Sequence, residues 1–251
     1  MADLTQRTDI PSPCYVLEEE KLIRNLELMK RVQDESGVRI ILALKGFSMW
    51  SSFDIIKPYL HGATASSVWE AKLAAEMGKE VHACSPAYKK ADIEELATLV
   101  NHLSFNSLSQ WQTHKDALAG VSLGLRINPE HQEADTPLYD PAAPGSRLGL
   151  RVSELEGVDL SGIDGFHCHN LCECDSFATE RTLKAIEARF GDYLGQLKWL
   201  NLGGGHLMTS EGYDVDHLIK TLSDFKQRYP HLDVILEPGS AVAWQTGPLI
   251  A

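Results

Sequence analysis

The chain has 251 residues, of which 43% are hydrophobic and 23% charged, a composition typical of a soluble globular protein with one large or two small domains. Its net charge of -12 at pH 7 argues against nucleic acid or an anionic membrane as a partner. The sequence has neither the apolar core of a signal peptide nor a run long enough to span a membrane, and its five cysteines are an odd number. We therefore expect a cytoplasmic protein with reduced thiols.

Short apolar runs alternate along the chain with amphipathic stretches. The apolar runs predict eight strands, at 39–45, 62–66, 80–84, 102–106, 121–127, 162–168, 197–202 and 233–237. The amphipathic stretches predict helices near 50–59, 68–77, 89–99, 108–118, 175–194 and 212–228. Apolar strands separated by helices are typical of a parallel sheet with helices packed on its outside. The count favours an α/β fold of the TIM-like (β/α)8 barrel type, and an open doubly wound sheet is the alternative.

Two features interrupt this alternation. Residues 129–146 contain few apolar side chains and predict a long irregular loop, either a mobile lid or a surface excursion. The prolines of this loop are Pro129, Pro137, Pro141 and Pro144. The opening segment 11–17 and the closing segment 241–251 each predict a strand outside the barrel.

Lys45 follows the apolar run 40–44 and precedes Gly46, so it stands at the carboxyl end of a predicted buried strand. Burial disfavours the ammonium form of lysine and makes the amine nucleophilic towards aldehydes. We therefore expect a buried, reactive amine at this strand end. A lysine that extends into solvent is the alternative.

Two other strand ends carry groups that complement such an amine. Gly203, Gly204 and Gly205 follow strand seven, where three glycines either form a simple turn or direct successive backbone amides at a phosphate. Glu237 ends strand eight, and a buried carboxylate there needs a partner, either a cationic side chain or the protonated nitrogen of a pyridine ring. An amine, an anion-binding turn and a carboxylate at three strand ends match the needs of pyridoxal phosphate (PLP).

His169 and Arg126 end strands six and five, where an imidazole can stack on a cofactor ring and a guanidinium can orient an anion or a side chain. A metal site is the rival interpretation around His169, because soft ligands are dense there. These ligands are His167, Cys168, His169, Cys172 and Cys174. Their spacing matches no zinc pattern, and alternate strand residues point to opposite faces, so we predict no metal. A catalytic thiol at Cys172 or Cys174 is an alternative to inert cysteines.

Together these motifs resemble the fold-type III PLP enzymes, which comprise the alanine racemases and the barrel amino-acid decarboxylases. The matching segments occur in the family's order. They are 13–17, 43–45, His169, 203–205 and 237–239. The resemblance implies that Lys45 is the Schiff-base lysine and that His169 stacks on the ring. It further implies that the three glycines hold the phosphate and that Glu237 contacts the pyridine nitrogen, with Arg126 as another cofactor-binding residue.

The similar racemases place an arginine at the pyridine nitrogen, which weakens the ring as an electron sink. A glutamate keeps that nitrogen protonated and therefore favours decarboxylation. The strings 66–72 and 165–173 are most similar to the carboxynorspermidine decarboxylases. This likeness implies decarboxylation of carboxynorspermidine or carboxyspermidine to norspermidine or spermidine, with Glu70 and Glu173 as substrate-binding residues. A diaminopimelate or ornithine decarboxylase, a non-catalytic PLP-binding barrel and a metal-dependent barrel hydrolase are the alternatives. Diaminopimelate and ornithine decarboxylases usually have a serine and an arginine where this chain has Cys172 and Ser240.

The resemblance also implies a second β-domain and a homodimer in which each subunit completes the other's active site. We therefore predict a strand segment of that β-domain at 1–20, the PLP-binding barrel at 21–240, and the start of a truncated C-terminal β-domain at 241–251. By this resemblance, residues of the C-terminal β-domain would complete the active site.

Overall fold

Eight parallel strand positions close into a barrel in the computed structural model, which describes residues 9–133, 136, 138 and 140–251. The strands in chain order are β1 (Cys14–Tyr15), β2 (Arg39–Ile40), β3 (Leu42–Ala43), β4 (Gly62–Ala65), β5 (Glu80–Cys84), β6 (His102–Phe105), β7 (Ser122–Ile127), β8 (Gly165–Cys168), β9 (Trp199–Asn201), β10 (Asp233–Leu236) and β11 (Leu249–Ile250). Strands β2 to β10 form the barrel, and every pair within it is parallel.

The barrel closes through residues 39–43, which form the first strand position. β2 pairs with β10, and β3 pairs with β4. Between them, the backbone N–H of Ile41 donates to the carbonyl of Leu236 at 3.0 Å, so the pairing continues across the break. The predicted TIM-like barrel is therefore confirmed, and the open doubly wound alternative is wrong.

Helices cover the outside of the barrel. They are α1 (Glu19–Ser36), α2 (Phe53–Ile56), α3 (Val68–Ala75), α4 (Lys90–Leu96), α5 (Leu108–His114), α6 (Ser176–Leu194), α7 (Val215–Arg228) and α8 (Ser240–Ala243). The helix α7 shows why these segments are helical: Leu218, Leu222 and Phe225 form one buried stripe, and Asp214 accepts a bond from the His217 N–H at 2.9 Å. Among the described residues, no helix combines the length and apolar character needed to cross a bilayer.

The two ends of the described chain pair with each other outside the barrel. β1 and β11 form an antiparallel two-stranded sheet. The strands predicted at 11–17 and 241–251 are therefore present only as these two short strands, and residues 240–243 form the helix α8. The predictions made for residues 1–8 and for Pro137 lie outside the described residues.

Trp199 fills the centre of the barrel together with Ile41 and Ile235. Its indole lies against two glycines on neighbouring strands: a Cβ at Gly165 would be 2.0 Å from Trp199 Cδ2, and a Cβ at Gly124 would be 2.2 Å from Cη2. Its Nε1 donates to Ser122 Oγ at 2.9 Å, which satisfies the buried polar atom. The two glycines therefore provide the space that the indole occupies.

An ion-pair network lies at the amino-terminal end of the barrel. Arg39 bonds Glu80 at 2.5 Å and Asp233 at 2.7 Å, and His82 Nε2 lies 3.3 Å from Glu80. These contacts lower the pKa of Glu80 to about 2, with the His82 hydrogen bond as the largest cause. Because side chains at this end of such barrels mainly serve stability, we assign this network a structural role.

We expect Gly165→Ala to destabilise the protein by about 1–3 kcal/mol, because the added methyl group would overlap the indole of Trp199 and the core has no space to absorb it. The matched control is Gly191→Ala in helix α6, where a Cβ would meet nothing within 4 Å. Alanine there should stabilise the helix by about 0.5–1 kcal/mol. Urea unfolding of both variants measures the difference, and equal stabilities would contradict the proposed role of Trp199.

Candidate active site

Lys45 stands at the carboxyl-terminal mouth of the barrel, and its side chain is exposed. The expected burial of this lysine is therefore wrong. Strand β3 ends at Ala43, and the carbonyl of Ala43 accepts bonds from the N–H groups of Gly46 and Phe47 at 3.0 and 3.2 Å. This turn carries Lys45 out of the packed strand and into the mouth, where its Nζ lies 3.5 Å from His169 Nε2.

A cavity with two lobes opens at this mouth. The lobes have volumes of about 230 and 290 Å³ and share Lys45, Pro141, His169 and Glu237. The first lobe is bounded mainly by backbone turns, at Gly46, 204–207 and 238–241. The second lobe lies over the strand ends and is lined by Thr64, Ser66, Cys84, Pro86, Arg126, Leu148 and His167. Pro141 and Leu148 place part of the long loop after β7 on the cavity wall.

The glycine turn, residues 203–205, is packed too tightly for any side chain. A Cβ would lie 2.5 Å from His169 Nδ1 at Gly203, 2.7 Å from the Glu237 carbonyl oxygen at Gly204, and 2.3 Å from the Leu171 backbone at Gly205. Gly203 and Gly205 also have positive φ angles of 66° and 92°, which glycine adopts without strain. The turn therefore needs glycine for close packing as well as for its backbone conformation.

Two amides of the glycine turn point into the protein instead of towards an anion. The Gly203 N–H donates to Asn201 Oδ1 at 2.8 Å, and the Gly204 N–H donates to His169 Nδ1 at 3.0 Å. Gly204 and Gly205 line the first lobe, whereas Gly203 lies behind it. The sequence-based picture of three successive amides directed at a phosphate is therefore wrong for Gly203 and Gly204.

Glu237 is only 7% exposed and belongs to both lobes. Its Oε1 accepts a hydrogen bond from Asn201 Nδ2 at 2.7 Å, and its Oε2 lies 3.9 Å from His167 Nε2. Burial, with Arg126 nearby, holds the pKa of His167 well below its usual value, so this imidazole is neutral. Within the described part of the chain, no lysine or arginine forms an ion pair with Glu237.

His169 is held from two sides. Arg126 Nη2 donates to the His169 carbonyl at 3.0 Å, and the Gly204 N–H donates to Nδ1. Burial, with the charges of Lys45 and Arg126, holds the pKa of His169 well below its usual value. Because Nδ1 accepts a bond, the proton of the neutral ring belongs on Nε2, which faces Lys45. The backbone bond to Arg126 shows that this guanidinium positions the His169 segment.

The dense His/Cys segment does not gather as a metal site. Cys168 is fully buried in the apolar layer, whereas His167 lines the cavity, as expected from strand alternation. Among the described residues, the histidine, cysteine and acidic side chains whose ligand atoms come together are Glu80, His82 and His102, at the opposite end of the barrel. Burial raises the pKa of the Cys168 thiol to about 12 and also raises that of Cys174, which disfavours a thiolate nucleophile at these two positions.

The two predicted substrate-binding glutamates lie in different surroundings. Glu173 lines the first lobe of the cavity, is exposed and has a positive φ of 51°. Glu70 lies at the start of α3, where its Oε2 accepts from the Ser66 N–H at 2.5 Å and its own N–H donates to Ser67 Oγ at 3.2 Å. Ser67 is thus the N-cap of α3, and the carboxylate of Glu70 is bonded to the backbone of Ser66, a residue that lines the second lobe.

Sequence reasoning missed Asn201, which touches both Glu237 and the glycine turn. Its position two residues after Trp199 places both side chains on the inner face of β9. The alternation of side chains along the strand is therefore the sequence signal that could have identified Asn201 as an inward-facing residue. The contact with Glu237, however, depends on the register of β9 against β10, which pairs Asn201 with Ile235 and is a property of the closed barrel.

Comparison with known proteins gives a consistent result, although no family model matches the chain. It is 51% identical over 247 residues to the carboxyaminopropylagmatine decarboxylase of Synechocystis sp., covering 97% of this chain and 64% of that protein. It is 47% identical over 243 residues to the carboxynorspermidine/carboxyspermidine decarboxylase of Campylobacter jejuni, covering 96% of this chain and 63% of that protein. The chain thus spans less than two thirds of the length of these relatives.

Solved structures give the same picture of the fold. Carboxynorspermidine decarboxylase from Campylobacter jejuni, crystallised with norspermidine, matches with a TM-score of 0.88 and 45% identity, over 95% of this chain and 62% of that one. Diaminopimelate decarboxylase from Helicobacter pylori, crystallised with L-lysine, matches with a TM-score of 0.79 and 18% identity, over 95% of this chain and 66% of that one. At 18% identity the second match shows the fold alone.

The chain therefore has the barrel fold of these decarboxylases, and the fold expected from its motifs is confirmed. Within that class its sequence is similar to the decarboxylases named for carboxynorspermidine, carboxyspermidine and carboxyaminopropylagmatine.

We expect the free energy of unfolding to fall as the pH drops from about 6.5 towards 4.5. Burial lowers the pKa of His206 to about 4 and, together with His82, that of His102 to about 3. The unfolded chain binds these protons below about pH 6.5 and the folded chain does not, so stability is lost in this window. Each such histidine contributes a slope of up to about 1.4 kcal/mol per pH unit.

Urea unfolding at a series of pH values measures this slope. His206→Gln should reduce the slope, because it removes one buried titrating group, whereas the exposed His231→Gln is the matched control. An unchanged slope in His206→Gln would show that this imidazole is not kept neutral by the fold.

Proposed function

We propose that this chain is the PLP-binding barrel of a decarboxylase that acts on a carboxylated polyamine. The observation that supports this proposal best is that Lys45, His169 and Glu237 line both lobes at the mouth of the barrel. This mouth offers an amine, a neutral imidazole and a buried carboxylate next to a glycine turn, and each of these groups has a counterpart in PLP.

The cavity residues fit PLP. Gly204 and Gly205 line the first lobe and have no side chains, so a ligand in that lobe would meet the backbone of the turn directly. Lys45 would hold the aldehyde carbon, His169 the ring, and Glu237 the pyridine nitrogen. The phosphate would lie among the backbone turns of the first lobe, at 204–205 and 239–241. When bound, PLP supplies an electron sink for the carbanion that remains after carbon dioxide leaves.

The protein side chains have distinct roles in this proposal. Glu237 accepts a bond from Asn201 and keeps Oε2 available for a protonated nitrogen. His169 presents a neutral ring whose orientation is set by Arg126 and Gly204. Lys45 is exposed at the mouth, so its amine can reach a substrate, act as the nucleophile towards an aldehyde and carry a proton to the alpha carbon.

For the substrate we propose carboxynorspermidine or carboxyspermidine, with norspermidine or spermidine as the product. The names of the Campylobacter jejuni relatives support this assignment. Carboxyaminopropylagmatine is the second candidate, supported by the 51% identity to the Synechocystis sp. enzyme. We assign recognition of a substrate cation to Glu173, which is exposed in the first lobe, and retain Glu70 as a weaker candidate because its carboxylate already accepts a bond from the Ser66 N–H.

We also propose that residues 1–20 and 241–251 belong to a second β-domain, next to a barrel of residues 21–240, and that the full-length protein is a cytoplasmic homodimer. The separate antiparallel sheet of β1 and β11 supports the domain assignment. The greater length of the relatives supports it as well.

Carbon dioxide release tests the substrate assignment. The assay compares carboxynorspermidine, carboxyspermidine, carboxyaminopropylagmatine, diaminopimelate and ornithine, with this chain and with a version extended through the second domain. We expect the extended version to turn over one or more of the three carboxylated polyamines at least about 100-fold faster than diaminopimelate or ornithine, since one missing cationic contact costs about 3 kcal/mol. Turnover of diaminopimelate alone would contradict the polyamine assignment.

Visible absorption tests the cofactor assignment separately from turnover. We expect the chain to develop a visible band when PLP is added, and we expect Lys45→Ala to abolish that band because the amine is required for covalent attachment. Lys90→Ala, at an exposed position on α4, is the control and should keep the band. A band without turnover in the extended protein would indicate a non-catalytic PLP-binding barrel. The metal-dependent hydrolase alternative requires that no band forms.

A further inference from the structure

We propose that Asn201 is a positioning residue that holds the carboxyl group of Glu237 in place and determines which of its oxygens faces the cavity. The proposal rests on the function proposed above, because Glu237 is the group through which Asn201 would act. Asn201 lies at the end of β9 and is 2% exposed, and it does not line either lobe of the cavity. Its influence would therefore be indirect.

The orientation of the Asn201 amide is determined by its partners. The Gly203 N–H can only donate, so the atom that it meets at 2.8 Å must be the side-chain oxygen Oδ1. The amide nitrogen Nδ2 must then be the atom that faces Glu237 Oε1 at 2.7 Å. The reversed amide would place two donors against each other at one end and two acceptors at the other.

This orientation has two consequences for Glu237. The Nδ2 group donates a hydrogen bond, so Oε1 is the oxygen that accepts it. The same bond occupies Oε1 and leaves Oε2, whose neighbour His167 lies 3.9 Å away, beyond hydrogen-bond distance. Oε2 is therefore the oxygen that remains for a ligand in the cavity.

Asn201 also connects Glu237 with the glycine turn. The Glu237 N–H donates to the Gly203 carbonyl at 2.7 Å, while the Gly203 N–H donates to Asn201. The next amide, that of Gly204, bonds His169 Nδ1. One short chain of hydrogen bonds thus joins the carboxylate to the imidazole, and Asn201 is the side chain that links the carboxylate to the turn.

Two substitutions separate this role from simple packing. Asn201→Asp keeps an oxygen that can accept from the Gly203 N–H, but as a carboxylate it has no N–H to donate to Glu237. Asn201→Ser has a single hydroxyl on a shorter side chain, which cannot span both partners as the amide does. In Asn201→Asp two carboxyl groups would share one site, which raises the pKa of one of them. The matched control is Asn128→Asp: Asn128 is also buried, at 4% exposure, and its Oδ1 accepts from the N–H two residues later, in Glu130, at 2.8 Å.

In the extended protein we expect both Asn201 variants to lose about 100-fold in kcat with little change in KM, because the carboxylate is displaced from its working position. Asn201→Asp should also add an ionisation to the pH profile of kcat that is absent from the wild type and from Asn128→Asp. Wild-type kcat and an unaltered pH profile in both Asn201 variants would overturn the proposal.

A double-mutant cycle tests whether Asn201 acts through Glu237. In a Glu237→Gln background, Asn201→Ser should cost less than about 10-fold in kcat, because the group that it positions has already been changed. If Asn201→Ser still lowered kcat about 100-fold in the Glu237→Gln background, Asn201 would act by another route, and the proposal would be overturned.

The visible band of bound PLP distinguishes failure of this inference from failure of the proposed function. If the wild type binds PLP but decarboxylates none of the substrates, the proposed function fails. The pH dependence of the band still reports on Glu237. We expect that dependence to change in Asn201→Asp and Asn201→Ser and to remain unchanged in Asn128→Asp. Identical dependence in all four proteins would overturn the positioning role.

Discussion

Closure of the barrel is the constraint on which the rest of the structure depends. Because all neighbouring strands are parallel and the segment 39–43 pairs on both sides, the carboxyl ends of the strands meet at one mouth. Lys45, His169 and Glu237 are far apart in the sequence, yet each follows a strand that ends there. An open sheet would have separated β2 from β10, and Lys45 would no longer stand beside Glu237.

The indole of Trp199 divides the barrel into two chemically different ends. The Arg39 network lies on the amino-terminal side, and the cavity lies on the carboxyl-terminal side. Because Gly124 and Gly165 have no side chains, the ring fits between their strands and, with Ile41 and Ile235, fills the space between the ends. The grouping of Glu80, His82 and His102 lies on the side away from the cavity, so it has no part in the proposed chemistry. The carboxylate of Glu80 is also already bonded to Arg39.

Strand order and the positions of the strand-end residues could be predicted from the sequence, because apolar runs and their terminal polar residues are local patterns. The surroundings of those residues could not. Lys45 was expected to be buried, but a turn closed by the Ala43 carbonyl carries it into solvent. The sequence resemblance implies that Glu70 binds substrate, but its carboxylate accepts a hydrogen bond from the Ser66 N–H. Asn201 was not singled out, since its partners are brought to it only by strand register and by the fold of the glycine turn.

The internal bonding of the glycine turn affects the energetics of ligand capture. Its first two amides are already committed to Asn201 and His169, so the backbone of the turn is ordered by the folded protein itself. Fixing one residue of a flexible loop costs roughly 1–2 kcal/mol, and here that entropy is lost during folding and not during binding. A rigid turn of this kind favours a ligand that already has the matching shape over one that must reshape the loop.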